Sequence, residues 1–344
     1  MTNPRDTLSN PPCAAPARRR ALVAAIAVVV ASLGTSCRPE FRDCAPIPPV
    51  VLAQVPDRLS ATGLYRDVRS ETLAEGVRPF TPRFGSWSDG AAKRRWIYLQ
   101  PRTQIDTRDP DAWNFPVGTK LWKELARDGV RIETRMLYKH GPQPDAWTPI
   151  AYVWSDDGDA RARPDGVANA RHTGHDVPSA ATCVGCHGGT PSGVLGFSAI
   201  QLPRRGAAGE LDLERLAAAQ LVTRPVPSNE LPGDATAQAA LGYLHANCSH
   251  CHNPIRPAHG GPRCFDPERS FSFLLRTGEL ASTASTATYR TAIGAVISAG
   301  DPDGSELLDR MRSRDARSGM PALGSEILDD AGLQLIHAWI AQLR

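Results

Sequence analysis

Two five-residue stretches constrain this chain more than anything else in it: Cys183-Val184-Gly185-Cys186-His187 and Cys248-Ser249-His250-Cys251-His252. Each is a C-x-x-C-H motif, the spacing at which two thiols form thioethers to a haem while the adjoining imidazole ligates its iron. Two other readings compete for the same residues. A zinc ribbon sets its two C-x-x-C pairs about 15–20 residues apart, and these pairs stand much further apart. A redox dithiol has no use for the trailing His. The spacing therefore favours two covalently attached haem c groups, one on Cys183 and Cys186 and one on Cys248 and Cys251. His187 and His252 are then the first axial ligands.

Such a chain is expected to leave the cytoplasm, and its first residues fit that. Arg18, Arg19 and Arg20 precede an apolar run from Ala21 to Leu33, of signal-peptide length and too short to span a bilayer. The run ends in Leu33-Gly34-Thr35-Ser36-Cys37, similar to a bacterial lipoprotein cleavage site, although Leu33 stands one position further from the cysteine than is usual. Residues 1–36 are read as a signal peptide, with Cys37 lipidated and the chain anchored on the periplasmic side of a bacterial membrane. Plain secretion is the alternative. The formal charge of +3 comes largely from this leader, so no nucleic-acid partner is expected. Of eight cysteines, Cys13 leaves with the leader, Cys37 is assigned to lipid and four to haem. Cys44 and Cys264 remain, and an oxidising compartment suggests a disulfide between them.

In chain order, the Pro-rich residues 37–56 read as a tether. Six of the seven tryptophans, Trp87 to Trp154, fall in a region of short, β-branched and aromatic runs such as Arg95–Leu99, Lys120–Leu125, Arg131–Tyr138 and Pro149–Trp154. Turn residues such as Asp128-Gly129 separate them, so residues 57–165 are predicted to form an antiparallel β-sandwich-like domain whose aromatic residues are core. Asp156-Asp157-Gly158-Asp159 is read as a solvated turn in preference to a calcium loop. Residues 166–233 hold the first motif in a loop-rich segment, with one short helix predicted over Glu210–Leu221. From Asp234 to the end the pattern is mainly α-helical. Asp234 caps a helix towards Asn247, Ser305 caps a second, and Asp329 or Asp330 caps a third, with Leu333, Ile336, Ile340 and Leu343 on one face. The predicted class is thus α+β and multidomain, a β-rich part followed by a helical haem region.

Met320, in the loop before the last helix, is the expected second ligand of the haem on His252. The haem on His187 has no such neighbour. His175 is the leading candidate, with His172, Met311, Met136 or no protein ligand as alternatives. His140, His245, His250, His259 and His337 have no partner at ligand spacing and are read as surface or supporting residues.

The chain resembles a bacterial family of dihaem c-type cytochromes, many of them lipoproteins. The resemblance rests on Val177-Pro178-Ser179 before the first motif, Val194 to Leu202 after it, Leu241 to Asn247 leading into the second, Gly300-Asp301-Pro302 with Arg310-Met311, Met320-Pro321 and Trp339-Ile340. It covers residues 80–344, with Ala180 where relatives often carry Arg. It implies haem binding and electron transfer with redox partner proteins of the cell envelope, a β-rich region and a cytochrome c-like end, and no known substrate. Electron carriage is the leading expectation. A peroxidase-like dihaem enzyme, or a sensory or binding module with an open first haem, are the alternatives; no acid/base cluster is evident beside His187.

Overall fold

The computed structural model describes residues 50, 52, 54–255, 270–315 and 318–344. The structure has ten strands, β1 (Tyr65–Asp67), β2 (Thr72–Leu73), β3 (Val77–Pro79), β4 (Ala92–Tyr98), β5 (Lys120–Arg127), β6 (Val130–Lys139), β7 (Trp147–Trp154), β8 (Ala160–Ala162), β9 (Val167–Ala170) and β10 (His175–Val177), and the four expected runs overlap β4, β5, β6 and β7. Strands β3 to β8 form one six-stranded antiparallel sheet in sequence order, while β1–β2 and β9–β10 are separate two-stranded ribbons. Asp128 and Gly129 join β5 to β6 with φ of 51° and 78°, the paired left-handed conformation that closes a two-residue hairpin.

A strand places successive side chains on opposite faces. One face of the sheet carries Trp96, Trp122, Met136 and Ile150 in consecutive cross-strand register. It is closed by the N-terminal Leu59, Leu64 and Tyr65. The other carries Ile97, Leu121 and Leu137 in register, packed on Phe197, Leu202, Leu213 and Leu216. The expected β-sandwich is therefore corrected to a single sheet whose faces are covered by other kinds of structure. Phe80 and Trp113 meet Phe197 edge-on, with ring centroids 4.8 and 6.0 Å apart. That aromatic contact joins the sheet to the segment after the first motif, so the core runs across the boundary expected at residue 165. The described residues belong to one compact unit.

The helices are α1 (Ala180–His187), α2 (Leu213–Ala218), α3 (Ala235–Asn247), α4 (Ala287–Thr291), α5 (Glu306–Arg312) and α6 (Asp330–Gln342). Side-chain caps start α1 at Ser179, α2 at Asp212, α3 at Asp234 and α6 at Asp329, each oxygen taking up a backbone N–H that the first turn leaves unpaired. Ser305 precedes α5 without that bond; its hydroxyl donates to Asp301 instead. Helices α3 and α6 pack together, burying Ala240 and Leu244 with Ile336, Trp339 and Ile340. The class is α+β. The Asp156–Asp159 turn is held by Arg58 and Ser60 on its aspartates. Among the described residues, no helix is long and apolar enough to cross a membrane.

Candidate functional site

The first motif lies wholly within α1, which places Cys183, Cys186 and His187 on the last two turns of one short helix. The Ser179 hydroxyl accepts the Thr182 N–H at 3.1 Å and starts the helix just before them. His187 donates from Nδ1 to the Gly193 carbonyl at 2.7 Å. That bond fixes one tautomer, leaving the lone pair on Nε2. Burial holds the ring at about pKa 4, with Lys123 among the charges that press it further down, so the imidazole is neutral at pH 7. Burial pushes the Cys183 thiol up, against the pull of Arg135.

A cavity of about 260 Å³ opens beside these residues. The sheet contributes Arg95, Leu121, Lys123 and Arg135; the strand-to-strand loop before β4 contributes Phe84 and Trp87; α3 and the second motif contribute Asn247 and His250. Burial lowers Lys123 to about 7, helped by Arg135 and Arg95, and lowers Arg95 to about 10. Burial also opposes the charge of Arg135, but Glu133 outweighs it and raises that guanidinium's pKa; the two form paired hydrogen bonds, one of 2.9 Å.

The second motif is built differently. Helix α3 ends at Asn247, Cys248 is its C-cap, and the remaining residues turn back: Cys251 and His252 both donate their backbone N–H to the Cys248 carbonyl. The His252 ring stacks on Phe271 at 4.7 Å between centroids and meets Phe273 edge-on at 5.9 Å. Burial, and the neighbouring Cys251, push the Cys248 thiol up to about 12. Met320 lies between α5 and α6, its N–H donated to the Arg310 carbonyl at 2.9 Å. None of Cys183, Cys186, Cys248 and Cys251 is in a disulfide.

The chain brings the two motifs into contact. One donor atom from each of Cys186, His250 and Cys251 lies within 4.8 Å of the others. Gly189, two residues after the first motif, sits so close that a Cβ there would stand 1.9 Å from the His250 carbonyl oxygen. Only glycine permits that approach. Asn253 locks it, donating to the carbonyls of Gly189 at 2.7 Å and Ser249 at 2.6 Å. Nearby, Trp87 donates its backbone N–H to Asn247 Oδ1 at 2.6 Å and its indole N–H to the Ile327 carbonyl at 3.2 Å.

The remaining expected residues divide. His175, the leading candidate for the first haem's second ligand, is fully buried on β10 with Nε2 bonded to Glu133 at 2.7 Å, and it is not part of the cavity wall around His187. His172 is exposed on a turn. Met311 and Met136 are buried in separate cores. His245 accepts the Leu275 N–H on Nδ1, His140 bonds Thr148, and His337 is exposed. Cys37, Cys44, Cys264 and His259 lie outside the described residues. Residues that the sequence did not single out are Arg95, Lys123, Trp87 and Asn247, and His250 was read as a surface or supporting residue. Inward cations at alternate strand positions were a visible signal; the reach of residues 84–89 towards α3 was not. No protein-family model, curated protein or solved structure matches the chain.

Proposed function

We propose that this chain is an exported dihaem c-type cytochrome that passes single electrons between partner proteins of the cell envelope. It would belong with the bacterial dihaem family it resembles, with the region from Asp234 as its cytochrome c-like part. The observation that carries this reading is the contact between the motifs: Cys186, His250 and Cys251 lie together, which suits two redox centres that exchange electrons.

The donor set fits the group. Two pairs of thiols outside any disulfide and two imidazoles are present, and His187 has its Nδ1 occupied, so Nε2 is the nitrogen left to ligate. Bound haem would supply a one-electron Fe(III)/Fe(II) couple. The chain's own residues would do the rest. Cys183 and Cys186 anchor one group and Cys248 and Cys251 the other. His187 and His252 ligate, Phe271 and Phe273 hold the second imidazole in an apolar setting, and Met320 supplies a thioether to the second iron. Lipid on Cys37 would hold the chain at the periplasmic side of the membrane.

Mass spectrometry of the protein matured in an exporting bacterium should find two covalent haems, and a redox titration should resolve two one-electron steps. A chain that matures without haem would sink this reading. Met320→Ala should abolish the Met-to-iron charge-transfer band; its persistence would remove Met320 as a ligand.

A second reading, a dihaem enzyme with a reactive first haem, draws on the cavity beside His187, where Lys123, Asp176 and Glu326 could carry protons. Cyanide or carbon monoxide binding at one haem, with peroxide turnover, would favour it over pure electron carriage.

A further inference from the structure

The sheet wall of the cavity carries three cations in a row. Arg95 on β4 stands opposite Lys123 on β5, and Lys123 stands opposite Arg135 on β6. Residues directly opposite in antiparallel strands have Cβ atoms about 5 Å apart, and like charges there repel. The adjoining row on the same face is Ile97, Leu121 and Leu137, so the sheet accepts apolar residues at this depth. Arg135 is compensated by Glu133. Arg95 and Lys123 have no ion-pair or hydrogen-bond partner among the described residues. The cavity's own carboxylates, Asp176 and Glu326, pair with neither. Two half-buried cations side by side are costly unless an anion restores their interactions.

We propose that Arg95 and Lys123 seat the two propionate carboxylates of the haem held by Cys183 and Cys186, with the Arg135–Glu133 pair closing the end of the row. The assignment rests on the dihaem reading. It matches two uncompensated cations with two carboxylates in the cavity that also holds Cys183, Cys186 and His187. The two seats are not equivalent. Arg95 offers a planar fork that can take a carboxylate bidentately, whereas Lys123 is a point charge. Both would favour the ferrous state of the first haem, because reduction adds negative charge beside them.

The test uses the whole protein, matured in cells, as Arg95→Gln, Lys123→Met and the double variant. Lys120→Gln is the control: it removes a charge from the same strand, where Lys120 donates to the Thr62 carbonyl at 2.7 Å away from the row. Haem counted by mass comes first. Two haems in the wild type uphold the dihaem reading, and none overturns both that reading and the seat. With two haems present, the double variant should shift the Fe(III)/Fe(II) equilibrium of one haem about tenfold towards Fe(III), a fall of about 59 mV for one electron. The haem that Met320→Ala perturbs should keep its potential, as should both haems in the control. Unchanged potentials, or a shift at the Met320 haem, would overturn the seat. So would a first-haem potential that ignores the substitutions but answers to added formate in the wild type alone, since that places a free anion on the row. A purely structural role is also distinguishable: Lys123→Met would then lower the melting temperature of the unloaded chain and leave both potentials unchanged.

Discussion

The two C-x-x-C-H motifs have the same five-residue grammar and opposite surroundings. The first is helical throughout, lies beneath a sheet and faces Arg95, Lys123 and Arg135. The second lies just past a helix end, packed among Phe271 and Phe273 with Met320 on a later loop. The difference teaches that the same cysteine spacing, proposed to attach haem at both sites, leaves polarity to the elements around it. A charged wall and an aromatic wall tune a metal's potential and access in different directions. The proposed dihaem pair is thus a pair of unlike sites in contact.

The sharpest way to break the comparison is to empty one site at a time. Cys183→Ala with Cys186→Ala should leave one haem by mass and retain the Met-to-iron charge-transfer band. Cys248→Ala with Cys251→Ala should also leave one haem and lose the band. If the band follows the first pair, the assignment of Met320 to the second site is wrong.

Next in size is Glu133, which joins the charged wall to its support. Burial works against its carboxylate, but Arg135 and a hydrogen bond from His175 prevail and hold it at about pKa 2. Glu133→Gln would strand Arg135 beside Arg95 and Lys123, and removing one partner of a buried pair costs about 3–5 kcal/mol. The folded pKa is depressed, so this stabilisation is present above the ordinary glutamate value, 4.5, and fades as pH falls towards 2. Denaturant titrations of the unloaded protein should show that acid-side decline in the wild type and a flatter one in the variant. Equal stabilities at pH 7 would mean that the row needs no compensation.

This contrast was half legible in the sequence. The motifs, the four sheet strands flanking Asp128-Gly129 and the helices capped by Asp234 and Asp329 carry local signals: thiol spacing, two-residue periodicity and side-chain caps. The single sheet was not legible, because what covers its faces is irregular chain around Phe197 and Leu202 and the N-terminal Leu59 and Leu64, which have no periodicity to read. His175 shows the same limit. Closeness in sequence favoured it as a ligand, yet β10 carries its imidazole to Glu133 on a strand 42 residues earlier. Lys123 and Arg95 looked like ordinary strand polar residues until the register set them opposite one another.

The contact between the sites should be weaker than either site, and Gly189 measures it. A methyl group there would stand 1.9 Å from the His250 carbonyl oxygen, so Gly189→Ala must push the motifs apart at a cost of about 1–3 kcal/mol, as other overpacked positions do. Both haems should still attach, while the two redox steps become less dependent on each other. Loss of a haem instead would mean that the contact serves maturation.

The smallest expected effect lies where the loop before α6 docks on the loop before β4, beside the first motif's cavity. Asp89 is 1% exposed, accepts the Ile327 N–H on Oδ1 at 2.9 Å, and has no N–H or hydroxyl donor at its buried Oδ2. The Glu326 carboxyl is raised to about 7, first by its hydrogen bond with Asp89, then by burial and the Asp89 and Asp176 charges. A shared proton therefore satisfies the pair. Because the folded pKa is raised, the stabilisation is full below the ordinary glutamate value and is lost as pH rises through about 7. Glu326 is exposed, so solvent screening should keep the loss below about 1 kcal/mol. Glu326→Gln keeps an amide donor at every pH and should melt at a temperature that is flat from about pH 5 to 8.5, where the wild type declines. Parallel profiles would show that the two loops meet without a shared proton, and that the charged side of the first site does not extend to its mouth.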